Sequence, residues 1–198
     1  MDSEIKLPKG YGENRYHRYL RFPGEITRHE LCKVMPPDIW HADINPYRDK
    51  VVDLFHEQLG LKINHVEIFY TPPGHGRLPI HTDTTQLHDR IKMNITWGPP
   101  GGVMRWWESN KIFAMKTNPD PAQSHRSHKN LMANEKDSTM MYEADTGTCS
   151  LVNAGRLHDT YNPHPTEGRW TMCFVPEPPW RKYLTWDEAL DFYKDYIV

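Results

Sequence analysis

The sequence predicts a mainly β protein in which two antiparallel sheets pack as a jelly roll, or double-stranded β-helix, with a few covering α-helices. Three observations point there. Seventeen prolines in 198 residues interrupt long helices, because proline lacks the N–H that a helix interior needs. Several short stretches alternate apolar and polar residues at period two, the spacing of a half-buried strand. They are bounded by turns such as Pro72-Pro73-Gly74 and Gly98-Pro99-Pro100-Gly101-Gly102, which punctuate strands. The length suits one well-buried domain better than two. That domain is expected to span 1–198, with its core at about 63–176.

Taken in order, Arg15 to Phe22 alternates in part and is broken by Pro23-Gly24, so it reads as a strand. Ile26 to Met35 suggests a short helix before Pro36-Pro37. Asn45 is a good N-cap with Pro46 where a missing N–H does no harm. Val51, Val52, Leu54, Phe55 and Leu59 form the stripe of the helix that follows, and Gly60 ends it. Ile63 to Tyr70 is a strand. The next is expected over Ile80 to Asp83, which would put His81 and Asp83 on one face. In the strand Ile91 to Trp97, Ile91, Met93, Ile95 and Trp97 share a core face, while Lys92, Asn94 and Thr96 look toward something polar. Val103 to Trp107 gives a further short strand. Lys116 to Asp137 is polar and irregular, carries a basic cluster of His125, Arg126, His128 and Lys129, and reads as a lid or as a solvated surface loop. Thr148 to Val152 and Arg169 to Val175 are the last strands, with His158 between them. Thr185-Trp186-Asp187-Glu188 is a capping box opening a helix whose stripe carries Trp186, Ala189, Leu190, Tyr193 and Ile197, expected to pack outside the sheets.

Composition argues against several classes. A formal net charge of -2 argues against a general nucleic-acid binder, which shows a strong basic excess. No apolar run reaches the length of a membrane span, and Met1-Asp2-Ser3-Glu4 lacks the pattern of a secretory signal. A cytoplasmic protein without a membrane partner is expected. Cys32, Cys149 and Cys173 are odd in number and lack a CxxC spacing, so plain thiols are expected rather than a disulfide framework or structural zinc.

The chemistry gathers at His81-Thr82-Asp83 and His158. Two imidazoles and one carboxylate are the facial triad that holds non-haem Fe(II) and leaves positions open for oxygen and a cosubstrate. Twelve histidines make a lone HxD a weak signal, so the surrounding order matters. His75, His88 and His164 lie near the triad in sequence and read as surface or supporting groups. Trp97, Trp106 and Trp107 are candidates for a pocket floor or for the core. Arg90, Arg105 and the basic loop are candidates to meet an acidic substrate.

Over about Val66 to Val175 the chain resembles the Fe(II)/2-oxoglutarate-dependent dioxygenase superfamily, marked by HxD, a distal His and a basic residue beyond it. The matching residues are His81, Asp83, His158 and Arg169. Tyr70-Thr71-Pro72-Pro73-Gly74 precedes the HxD, an Asn94-bearing strand and a Gly-Gly turn follow it, and Gly147 to Asn153 leads to His158. The resemblance implies that His81, Asp83 and His158 bind the iron and form the catalytic set. It implies that Arg169, helped by Thr171, pairs with the distal carboxylate of 2-oxoglutarate, with Tyr70 and Asn94 as further hydrogen-bonding groups. Such enzymes use O2 to convert 2-oxoglutarate to succinate and CO2 while oxidising a substrate, and the retained Asp83 favours hydroxylation over halogenation. Expected substrates are an amino-acid side chain in a peptide or protein, then a small metabolite, with a nucleobase last. His158-Asp159-Thr160-Tyr161-Asn162 is similar to aspartyl/asparaginyl hydroxylase-like members, which often lack the HxD carboxylate. Prolyl-hydroxylase-like members usually carry lysine where Arg169 stands, so neither subfamily fits cleanly. The rival is a cupin-like metal-binding protein, an isomerase or small-molecule binding module, which has no need of Arg169 and Thr171 at the metal. A third reading makes the histidines structural in an interaction domain without metal.

Overall fold

The computed structural model describes residues 14–21, 33, 48–59, 63–74, 76–116, 129–147, 149–176 and 184–198. Nearly all of the Ile26 to Met35 helix, the Asn45-Pro46 helix start, Cys32, His75, His125, Arg126 and His128 lie outside these residues. The described elements are β1 (His17–Tyr19), α1 (Arg48–Leu59), β2 (Ile63–Thr71), β3 (Gly76–Arg77), β4 (Ile80–His81), β5 (Ile91–Trp97), β6 (Val103–Ser109), β7 (Ile112–Lys116), β8 (Lys129–Ala133), β9 (Ser138–Asp145), β10 (Ser150–Asn153), β11 (His158–Asn162), β12 (Arg169–Pro176) and α2 (Trp186–Phe192).

Two curled antiparallel sheets form a mainly β, jelly-roll-like sandwich. One has five strands in the order β1-β10-β5-β12-β2; the other has seven, running β7-β8-β4-β11-β6-β9 with β3 paired to β11. Period two decides what each face does. In the five-stranded sheet Ile91, Met93, Ile95, Leu151, Met172, Phe174 and Val66 bury against Val51 of α1, Trp186 and Ala189 of α2, and Tyr193, the C-cap of α2. The two helices therefore cover this sheet, as the stripes predict. The opposite face turns Lys92, Asn94, Thr171 and Cys173 into a cavity. Thr185 caps α2 in a full capping box with Glu188.

Several expectations are corrected. The first strand is shorter than Arg15 to Phe22, covering only His17–Tyr19. Asp83 lies past the end of β4, which stops at His81. Strand parity therefore does not bring the HxD pair together. The backbone of Asp83 is held instead by its N–H to the Ala154 carbonyl, 2.9 Å, and by Arg90 donating to its own carbonyl, 2.6 Å. The 116–137 stretch is not wholly irregular, since Lys129–Ala133 is strand β8 and Glu135–Asp137 a 3₁₀ turn. β7, β9 and β11 also go beyond the sequence reading, and β11 begins at His158. Among the described residues no helix is long and apolar enough to cross a membrane. Cys149 and Cys173 are free thiols.

Candidate metal centre

His81 and His158 stand opposite each other on the antiparallel pair β4 and β11. Directly opposed strand residues project to the same face. Their rings lie 4.6 Å apart between centroids. The loop after β4 folds Asp83 back beside them, with Oδ1 3.6 Å from His81 Nε2 and 4.0 Å from His158 Nε2. The ligand atoms of all three lie within 4.8 Å of one another.

The other ring nitrogens fix which atoms are offered. His81 Nδ1 sits 2.7 Å from the Pro79 carbonyl and His158 Nδ1 2.9 Å from the Arg156 carbonyl. A carbonyl only accepts, so Nδ1 of each ring carries a proton and Nε2 faces Asp83, offering its lone pair whenever the ring is neutral. This is how metal-binding histidines are oriented by their surroundings. Burial, reinforced by the charge of His81, lowers the His158 pKa to about 4, which keeps it a neutral donor. Burial also presses His81 down, but the Asp83 hydrogen bond and charge outweigh it and the net shift is upward. Burial alone would raise the Asp83 carboxyl; the Lys92 ammonium and the two histidines hold it well below the usual carboxylate range. By donor chemistry and geometry this group fits a divalent transition metal.

The triad opens into a cavity of about 210 Å³ lined also by Tyr70, Lys92, Asn94, Thr160, Arg169, Thr171 and Cys173. Arg169 is 2% exposed. It donates to the Thr146 hydroxyl at 2.8 Å and the Tyr161 carbonyl at 3.3 Å, while its buried Nε finds no partner among the described residues. Burial pulls its pKa to about 10, so it stays cationic. No carboxylate lies within ion-pair distance of it among the described residues, a costly state unless an anion completes the site. Thr171 lines the same cavity and shares a hydrogen bond with Thr96 at 3.3 Å. Asn94 contributes a buried side-chain oxygen without a hydrogen-bond partner among the described residues. Tyr70 packs on Trp170 at 4.8 Å and borders the cavity.

Every residue assigned to the site by sequence, namely His81, Asp83, His158, Arg169, Thr171, Tyr70 and Asn94, borders this one cavity. The tryptophans do not. Trp106 and Trp107 belong to two hydrophobic clusters and Trp97 packs against a third, so they serve as core rather than pocket floor. Arg105 does not wait for an acidic substrate, because Asp159 takes it in a buried two-bond pair at 2.8 Å. Arg90 is engaged with the Asp83 backbone. Asn162 ties to the Glu167 carbonyl, 3.2 Å. His164 accepts from the Glu167 N–H, 3.0 Å, and His88 is exposed. Sequence reasoning assigned no role at the site to Lys92, whose Nζ bonds Asp83 Oδ2 at 2.6 Å and Glu67 Oε2 at 3.0 Å. Its place on the polar face of β5 was the available signal.

No protein-family model matches the chain, and no curated protein is significantly similar to it. Among solved structures, the chain is similar to a prolyl-4-hydroxylase from Pseudomonas putida, with 14% identity over 67% of this chain and 64% of that one, at a TM-score of 0.29. The match thus spans less than two thirds of that protein's length. The functional reading rests on the residues themselves.

Proposed function

We propose that this single domain, residues 1–198, is an Fe(II)- and 2-oxoglutarate-dependent oxygenase that hydroxylates an amino-acid side chain in a peptide or protein, or a small metabolite. The observation that carries the reading is one cavity holding both a His81–Asp83–His158 ligand set and a buried guanidinium, Arg169, with no carboxylate within ion-pair distance among the described residues. Charge supports it. Asp83 and Glu67 offset Lys92 and Arg169, while burial keeps His158 neutral and pushes the Cys173 thiol up to about 12. A divalent metal would add positive charge to a cavity that already holds Arg169, which Asp145 opposes only from beyond ion-pair distance, and a dicarboxylate would answer that charge. A cupin-like module needs the metal ligands but gives no reason to bury Arg169 in the same cavity.

Iron bound by the three side chains would supply oxygen activation coupled to decarboxylation of 2-oxoglutarate, with succinate and CO2 as coproducts. Arg169 would bind the distal carboxylate, where a planar guanidinium can meet both oxygens. Thr171 and Asn94 would add hydrogen bonds, and Tyr70 would wall the cavity. Anaerobic Fe(II) and 2-oxoglutarate should produce the weak visible charge-transfer band of the chelate, and admitting oxygen should release succinate. The triad assignment is wrong if His81→Ala and Asp83→Ala behave like wild type. Substrate-stimulated succinate release then ranks peptides, metabolites and nucleobases.

A further inference from the structure

The metal reading above leaves one group at the site unexplained, the ammonium of Lys92. Its side chain is 4% exposed, and it projects from the start of β5, which is flanked on both sides by β10 and β12. Two carboxylates hold it: Glu67 Oε2 at 3.0 Å and Asp83 Oδ2 at 2.6 Å. The Asp83 backbone is already fixed through Ala154 and Arg90. What remains soft is rotation of the carboxylate about its last torsion, a broad, roughly two-fold well.

We propose that Lys92, anchored by Glu67, is a positioning residue that holds Asp83 Oδ2 away from the metal, so that the carboxylate offers Oδ1 alone. The geometry separates the two oxygens: Oδ2 faces the ammonium, and Oδ1 faces both imidazole Nε2 atoms. A carboxylate free to turn can bind an ion through both oxygens and occupy one more coordination position. Holding one oxygen keeps that position for an exchangeable ligand. The ammonium takes no place on the metal itself, and Glu67 offsets its charge, so the Asp83 charge remains for the ion.

The test counts open positions without turnover. Mn(II) bound to purified protein relaxes water protons in proportion to the waters it carries. Lys92→Met should lose one Mn(II)-bound water relative to wild type. Because this variant takes the Lys92 cation from two half-buried carboxylates, the double variant Lys92→Met/Glu67→Gln is measured beside it and should show the same loss. Glu67→Gln alone keeps the Lys92–Asp83 contact and should retain the wild-type number. Wild-type water counts in both Lys92 variants, with Mn(II) still bound, overturn the positioning role and leave the metal site standing. If wild type binds Mn(II) no better than His81→Ala, the metal reading fails and this inference falls with it.

Discussion

Arg169 has room for its guanidinium only because the residue beside it is Gly102. A Cβ at that position would collide with Arg169 Nη1 and crowd Thr146 Oγ1 at 3.1 Å. Gly102→Ala should therefore fold, since the atom that must yield is the far end of a long side chain, but the guanidinium must shift. The expected outcome is at least about a tenfold weaker affinity for 2-oxoglutarate, roughly 1.4 kcal/mol, with Mn(II) affinity unchanged, both read by titration. Equal cosubstrate affinity would remove Arg169 from its assigned role. His17 makes a second case at this scale. It is 2% exposed, ringed by Tyr19, Trp106 and Tyr142 at 4.4, 5.6 and 6.0 Å, and neither ring nitrogen has a hydrogen-bond partner among the described residues. Burial, helped by the charge of Arg18, lowers its pKa to about 4. The unfolded chain takes up this proton near 6.5, the folded chain only near 4. Between those values the unfolded state binds more protons, so stability from this site is complete above 6.5 and is lost as pH falls toward 4, on the order of 3 kcal/mol in all. His17→Phe should flatten that slope and raise Tm at pH 5, measured as Tm against pH for both proteins. His158 titrates in the same window, and the difference between the curves isolates His17.

Between elements, Asp89 ties together the pieces that carry the ligands. It sits in the loop that follows Asp83 and accepts from Asn153 Nδ2 at 2.9 Å, Arg156 Nη2 at 2.9 Å and the Trp186 N–H at 3.1 Å. One carboxylate thus joins β10, the turn before His158 and the start of α2. Asp89→Ala leaves the 2% exposed Arg156 without this carboxylate and should cost roughly 3–5 kcal/mol. Thr185→Ala, which removes only the α2 cap, should cost about 1 kcal/mol. Chemical denaturation of the two variants tests the ranking, and similar losses would show that Asp89 is no more than a second cap. Legibility in the sequence followed burial. β5 and β12 were readable because one face is core and the other polar, and the α2 cap because its chemistry is local. β7 and β9 were not: Phe113, Met115, Met140 and Met141 are exposed, so their apolar character marks no buried face, and pairing with β8 and β6 makes them strands. For Trp106 and Trp107 the sequence left pocket floor and core both open, because type alone does not reveal direction; each is buried in its own hydrophobic cluster. The triad was legible as spacing, but its cause was misread, since Asp83 reaches the histidines through a loop fixed by Arg90 and Ala154.

Across the whole molecule, the site lies between the two sheets and draws on both. His81 and His158 come from the seven-stranded sheet, whereas Lys92, Arg169 and Thr171 come from the five-stranded one. A ligand that met the metal at one end and Arg169 at the other would tie the sheets together, and binding to the folded state alone raises stability by RT ln(1 + [L]/Kd). At a hundredfold excess over Kd this is about 2.7 kcal/mol, or roughly 5–10 °C in Tm for a chain of this size. Mn(II) alone should raise Tm, and 2-oxoglutarate added to the Mn(II) form should raise it further. 2-Oxoglutarate without metal should do little, because it would keep Arg169 but lose its chelate. His81→Ala should abolish both increments, while Arg169→Ala should keep the first and lose the second. Differential scanning fluorimetry of the three proteins under these conditions makes the test. A full shift from 2-oxoglutarate alone would mean that Arg169 and its neighbours hold the dicarboxylate without the triad, and the two ends of the cavity would then be separate sites rather than one.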